Sequence, residues 1–359
     1  MNINYLTISF LLTLLLPLIS GLSSNHLKCS SKNIPAMYVF GDSLFENGNS
    51  CHLGLPSNEA CFLPYGIDFG GKPTGRCTNG KTMADYLAIL LRLPFPSPYL
   101  GLSKHQRSKI TRGITYASAG SGILQETNNE TSLTLPTQLK HFKRTVQNDL
   151  PKMFKEHVLL ERHLSESLFV INAGVNDYGQ TINKIFPSTR SFALLLLKEF
   201  SRHLQELYIL GARKFLVNNI PPAGCFPSIA AHMTPKGNCN ETLNKKINFY
   251  NKRLLGVLYQ LQSQLPGFIF VHADLNGFLV EMRTTAHKYG IFDTWKPCCH
   301  NIIDGDPRCR RDVIPCADRN THLYFDDHPS QITNNIYVKR CFQEATICRP
   351  SDLKHLVYA

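Results

Sequence analysis

The chain has 359 residues, 43% of them hydrophobic and 18% charged, with a formal net charge of +12. That composition excludes a disordered chain and is enough for one large packed core or two ordinary ones. A basic chain without a nucleic-acid motif is a poor partner for nucleic acid. Its charge is better suited to electrostatic contact with an anionic cell-wall polysaccharide or a membrane surface.

The chain opens on "MNINYLTISFLLTLLLPLISGLSSN", apolar from Leu6 to Leu18 and then rich in small residues. This run is too short to span a membrane as a helix. It reads as a secretory signal peptide over residues 1–24, cut between Ser20 and Asn25, although its first residues carry no Lys or Arg. Twelve cysteines in a secreted chain point to disulfides. The crowded "WKPCCHNIIDGDPRCRRDVIPC" lacks zinc-knuckle spacing at the adjacent Cys298 and Cys299, so a disulfide-pinned loop is expected there, with no metal. Asn129-Glu-Thr and Asn240-Glu-Thr are N-glycosylation sequons, expected on surface loops.

Five apolar runs each end in a turn signal: 36–42, 113–120, 168–174, 214–224 and 268–274. Continuous apolar character, without alternation, is typical of strands buried on both faces. Helical patterns lie between them over 81–93, 190–212 and 241–267, and a last helix is expected after Pro329. The basic stretch 140–157 reads as a solvated helix face. Strands alternating with helices predict one parallel sheet covered on both faces, with ligands beyond the carboxyl ends of its strands.

Those ends hold the chemistry. The first run stops at Asp42-Ser43. The second ends in "ASAGSG", offering N–H groups at Gly120 and Gly122, and the third in "AGVNDYG", with Asn176 and Asp177. Near the C-terminus, "LYFDDHPSQ" sets His328 beside two aspartates. Acyl transfer needs a hydroxyl nucleophile, a base to take its proton, a group to orient that base and fixed donors for the oxyanion. Each piece alone has an ordinary explanation: Ser43 could be a helix cap, and the Asn-Asp piece a turn. Their co-occurrence after successive strands argues for a site. The Gly-x-Ser-x-Gly elbow of the other large serine-hydrolase fold is absent, because Phe45 stands where its second glycine would be.

"YVFGDSLFENGNS", "GRCTNGKTMADYLA", "ITYASAGSGIL", "INAGVNDY" and "FDDHPS" together resemble the plant GDSL esterase/lipase branch of the SGNH-hydrolase superfamily, over nearly the whole mature chain. The resemblance implies a flavodoxin-like three-layer α/β/α sandwich with a central parallel sheet of about five strands, and 25–359 as one catalytic domain. It implies metal-free, cofactor-free hydrolysis of a small-molecule or lipid ester, and the chain is expected to be a monomer. Ser43 would be the nucleophile and His328 the base, with Ser43, Gly120 and Asn176 forming the oxyanion hole. The chain departs from the pattern twice. Glu46 stands where the first block usually has Asp. The family places its triad Asp three residues before the His, where this chain has Phe325. Asp326 is expected to orient His328, and Asp327 is the alternative. Asp42 and Asp177 are expected to brace turns. An acyltransferase using the same acyl-enzyme is one rival reading. A catalytically weak ligand-binding protein, suggested by the altered Asp–His spacing, is the other. The readable segments do not name the ester.

Overall fold

The computed structural model describes residues 34–54, 60–180, 188–300, 309–311 and 313–358. The expected signal segment and Cys29 lie outside the described residues. Seven strands form one sheet: β1 (Met37–Gly41), β2 (Ser97–Pro98), β3 (Ile114–Thr115), β4 (Leu168–Asn172), β5 (Lys214–Asn218), β6 (Ile269–Ala273) and β7 (Cys348–Arg349). Their order is β2-β3-β1-β4-β5-β6-β7, with every pair parallel except β6–β7. The five inner strands, β3-β1-β4-β5-β6, follow the 2-1-3-4-5 order of flavodoxin-like sheets. They are also the five apolar runs of the sequence. The expected five-stranded sheet is therefore corrected to seven. The two edge strands are two residues each, too short to show any periodicity.

Alternation along the strands builds the three layers. Tyr38, Phe40, Phe169, Ile171, Phe215 and Val217 enter one apolar cluster, with side chains from the helices Leu135–Arg144, Thr189–Ile209 and Glu241–Gln264. Met37, Val39, Leu168, Val170, Leu216 and Val271 enter the other, with the helices Met83–Leu91, Leu275–Thr285 and Gln331–Gln343. Covering both faces demands apolar residues at consecutive positions, which is why the runs in the sequence are unbroken.

Local chemistry fixes the helix starts. Thr82 and Asp85 form a reciprocal capping box before Met83, and Asn240 accepts from Leu243 N–H at the start of Glu241–Gln264. The basic stretch 140–157 departs from its reading as one helix face. Its first helix ends at Arg144, a π-helical turn covers Thr145–Asp149, and a new helix begins at His157. Pro151 cannot donate to a continuing helix. No helix among the described residues is long and apolar enough to cross a membrane.

The last residue of β1 sets how closely two central strands meet. Gly41 has φ +136°, and a Cβ there would lie 1.9 Å from the carbonyl oxygen of Asn172 on β4. Both strands would have to separate to admit any side chain. We expect Gly41→Ala to lower stability by about 3 kcal/mol or more in urea unfolding. A loss under about 1 kcal/mol would mean that the strand pair adjusts freely.

Candidate active site

β1 delivers Ser43 on a tight turn. The Asp42 carboxylate accepts from Leu44 N–H (3.1 Å), and its carbonyl accepts from Phe45 N–H (3.2 Å). Gly41, Asp42 and Leu44 are buried, while Ser43 is partly open to solvent. Asn172, at the end of β4, donates its side-chain N–H to Asp42 (2.9 Å) and accepts from Asp42 N–H through its backbone (3.1 Å). Gln138, wholly buried, grips Gly41 from the helix above: its Oε1 accepts from Gly41 N–H and its Nε2 donates to Gly41 carbonyl, both at 2.8 Å. The turn is thus held on two sides.

His328 reaches this turn from near the far end of the chain. Its Nε2 lies 2.8 Å from Ser43 Oγ, and its Nδ1 lies 2.9 Å from Asp326 Oδ1. The same oxygen accepts the His328 backbone N–H at 2.8 Å, and the Tyr65 hydroxyl donates to Asp326 Oδ2. Phe325 N–H donates to the His328 carbonyl (2.8 Å), closing a turn that folds residue 326 back onto residue 328. This turn makes a two-residue separation work. Asp327 points elsewhere and accepts from Ser228 N–H at 2.6 Å. Phe325, in the family's usual position, is fully buried against Tyr65, with ring centroids 5.7 Å apart.

The other expected residues converge on the same place. Asn176, the second residue of the short helix Val175–Gln180 after β4, donates to Ser121 carbonyl at 2.9 Å. Gly120 follows β3 with φ +79°, so its need for glycine lies in the backbone rather than in space; the nearest atom to an added Cβ is 3.5 Å away. Ser43, Gly120, Asn176, Asp326 and His328 all line one cleft of about 450 Å³. Val175, Ala223, Phe226, Ile229 and Leu243 supply apolar lining to that cleft.

Two carboxylates tie its loops together. Glu46, fully buried, accepts from Ser50 N–H and hydroxyl and from Ala119 N–H, fixing the residue next to Gly120. Asp177 accepts from Ile123 N–H (2.8 Å), Leu124 N–H (3.1 Å) and the Thr127 hydroxyl (2.7 Å). The expectation that Asp42 and Asp177 brace turns matches these contacts. Sequence reasoning missed Tyr65, Gln138 and the reach of Glu46 to Ala119, because each contact joins residues 73 to 261 positions apart.

The disulfide-pinned loop is present, closed by Cys298–Cys316 and Cys299–Cys309. Cys298 and Cys299 donate their N–H groups to the Tyr324 and Phe325 carbonyls, backing the segment that carries Asp326. Cys51–Cys61, Cys225–Cys239 and Cys341–Cys348 are also joined. Of the two sequons, Asn129 is exposed and Asn240 is half-buried as a helix cap.

The chain has recognisable counterparts. The family model described as GDSL-like Lipase/Acylhydrolase matches residues 37–338. The chain belongs to this family. It is 37% identical over 339 residues to GDSL esterase/lipase At5g08460 of Arabidopsis thaliana, covering 90% of this chain and 87% of that one. It is 38% identical over 323 residues to GDSL esterase/lipase At2g04020 of the same organism, with 88% and 87% covered. The protein is accordingly a carboxylic ester hydrolase of the GDSL esterase/lipase kind.

Electrostatics in this GDSL hydrolase separate the carboxylates. Burial pushes Asp42 and Glu46 up to about 7 and Asp177 up to about 6, despite their hydrogen bonds. Burial acts on Asp326 in the same sense. There the facing His328 charge and the hydrogen bonds from His328 and Tyr65 outweigh it, holding the carboxyl below the usual range. A group whose folded pKa is raised contributes stability below its unfolded pKa and loses it as pH rises through the folded one. For Glu46 that window runs from 4.5 to about 7. Glu46→Gln should therefore gain on wild type by roughly 2–3 kcal/mol between pH 4.5 and 8. Paired thermal melts across that range test this, and a constant difference between the two proteins would rule it out.

Proposed function

We propose that this GDSL hydrolase is a secreted serine esterase in which Ser43, His328 and Asp326 form the triad. The observation that carries the reading is the unbroken relay of Ser43 Oγ, His328 Nε2 and Nδ1, and Asp326 Oδ1, at 2.8 and 2.9 Å, inside a cleft. In the proposed reaction His328 Nε2 takes the Ser43 proton as Oγ attacks the ester carbonyl. Asp326 keeps the imidazole proton on Nδ1 and stabilises the charged ring. The N–H groups of Ser43 and Gly120 and the Asn176 side-chain amide receive the tetrahedral oxyanion. Collapse expels the alcohol, which takes the proton from His328, and the acyl group stays on Ser43. Water, deprotonated by His328, then releases the acid and restores the hydroxyl.

The direct contact of Asp326 with the imidazole supports the esterase reading over a weak ligand-binding protein, despite the altered spacing. The apolar cleft lining favours an ester with an apolar acyl group, such as an acyl lipid or another plant ester. Secretion is supported by the leader-like first 24 residues and by five disulfides among the described residues. Residues 25–359 would then be one catalytic domain, with glycans on Asn129 and Asn240. At Asn240 the helix cap uses Oδ1, whereas a glycan attaches through Nδ2.

A fluorophosphonate probe should label the purified protein, and neither Ser43→Ala nor His328→Ala should be labelled. Labelling that survives Ser43→Ala would place the nucleophile elsewhere. Asn176→Ala should lower kcat by about 10²–10³ with little change in KM, the usual effect of removing one oxyanion donor. An unchanged kcat would remove Asn176 from the oxyanion hole.

A further inference from the structure

Asp327 is a half-buried acid that the proposed reaction does not use, yet it lines the cleft. It neighbours Asp326 in sequence but faces a different element. Its Oδ1 accepts the N–H of Ser228 at 2.6 Å. Ser228 is the second residue of the short helix Pro227–Ala230, whose N-cap, Phe226, has no side chain able to accept from the first turn. Such N–H groups need an acceptor from outside the helix. Asp327 supplies it from the histidine-bearing loop, 99 residues away.

The helix it caps belongs to the cleft wall. Phe226 and Ile229, on either side of Ser228, both line the cleft. The segment is fixed from behind by Cys225–Cys239 and by Asn244, which accepts from Gly224 N–H at 2.9 Å. At its front, the Asp327–Ser228 hydrogen bond ties Phe226 and Ile229 directly to the loop that carries His328. The angle of the apolar wall is therefore set against the position of the imidazole.

We propose that Asp327 is a positioning residue for substrate selection, holding the Phe226–Ile229 wall so that the cleft prefers esters with an apolar acyl chain over acetyl esters. This rests on the assignment of Asp326, not Asp327, to the triad. The adjacent aspartates then divide the work. Asp326 orients the base, and Asp327 fixes the surface against which the acyl chain lies.

The test measures kcat and KM for p-nitrophenyl acetate and p-nitrophenyl octanoate with wild type, Asp327→Ala, Asp327→Asn and Ser228→Pro. Ser228→Pro removes the donor from the other side of the same bond, so it reads the proposal even where Asp327→Ala folds poorly. Both disruptive variants should raise KM for the octanoate roughly tenfold, a usual size for a lost methylene-scale contact, while kcat changes less than about threefold. Asp327→Asn, which keeps an accepting oxygen, should retain the wild-type preference. A preference unchanged in Asp327→Ala and Ser228→Pro would overturn the proposal. So would turnover of both esters falling by about a thousandfold or more together with loss of fluorophosphonate labelling, since that would put Asp327 in the triad. Failure of the esterase reading itself would look different, as a wild type that neither labels nor turns over either ester.

Discussion

A carboxylate sealed from water must find hydrogen-bond donors, and the backbone N–H groups of loops are the donors this fold offers. The architecture of the cleft follows from that constraint. Asp42 takes Leu44 N–H within the loop after β1. Glu46 links that loop to the one after β3 through Ala119. Asp177 links the short helix after β4 to the β3 loop through Ile123 and Leu124. Asp326 folds the histidine loop onto itself through His328 N–H, and Asp327 joins it to the segment after β5 through Ser228. Each acid satisfies donors that irregular backbone would otherwise leave unpaired. The loops at the carboxyl edge of the sheet are thereby stitched to one another as well as to the sheet.

The segment 76–82 extends the same logic to a part of the chain that enters no reaction step. Arg76 meets Asp85 through two hydrogen bonds, at 2.7 and 2.8 Å, in a nearly dry setting. Asp85 also accepts from Asn47 (3.1 Å), and Thr82 donates to Asn47 (2.8 Å), which anchors the far side of the Ser43 loop. Thr78 donates to the Pro329 carbonyl (3.0 Å), and Asn79 accepts from Gln331 N–H (2.9 Å). One segment thus braces the serine loop and the histidine loop, whose key residues are 285 positions apart. Removing one partner of a buried pair such as Arg76–Asp85 leaves the other charge unpaired, so the damage should reach both loops.

Much of this was legible in the sequence, and the reasons differ by element. The five inner strands were readable because burial on both faces forces unbroken apolar runs. The two edge strands were not, since two paired residues impose no pattern. Ser43, Gly120, Asn176 and His328 could be located because each directly follows a strand or sits in a short motif. The cross-links were illegible for the opposite reason. Gln138 on Gly41, Tyr65 on Asp326 and Glu46 on Ala119 depend on which helices and loops the topology stacks together, and a linear sequence carries no mark of that. The basic stretch 140–157 misled because its charges fit a helix face while Pro151 interrupts the backbone.

The choice between Asp326 and Asp327 shows where residue spacing stops being informative. In an extended segment, adjacent side chains point to opposite faces, so spacing alone could say only that one aspartate faces His328; the preference for Asp326 came from the family resemblance. What decides between them is the turn closed by Phe325 N–H on the His328 carbonyl, which curls the backbone until a carboxylate two residues away touches Nδ1. That turn is backed by the Cys298 and Cys299 amides and by a fully buried Phe325. A spacing of three is one way to bring a carboxylate to an imidazole. Here a spacing of two brings the Asp326 carboxylate to the imidazole, in a curve backed by a disulfide-pinned loop, and the next residue faces the cleft wall.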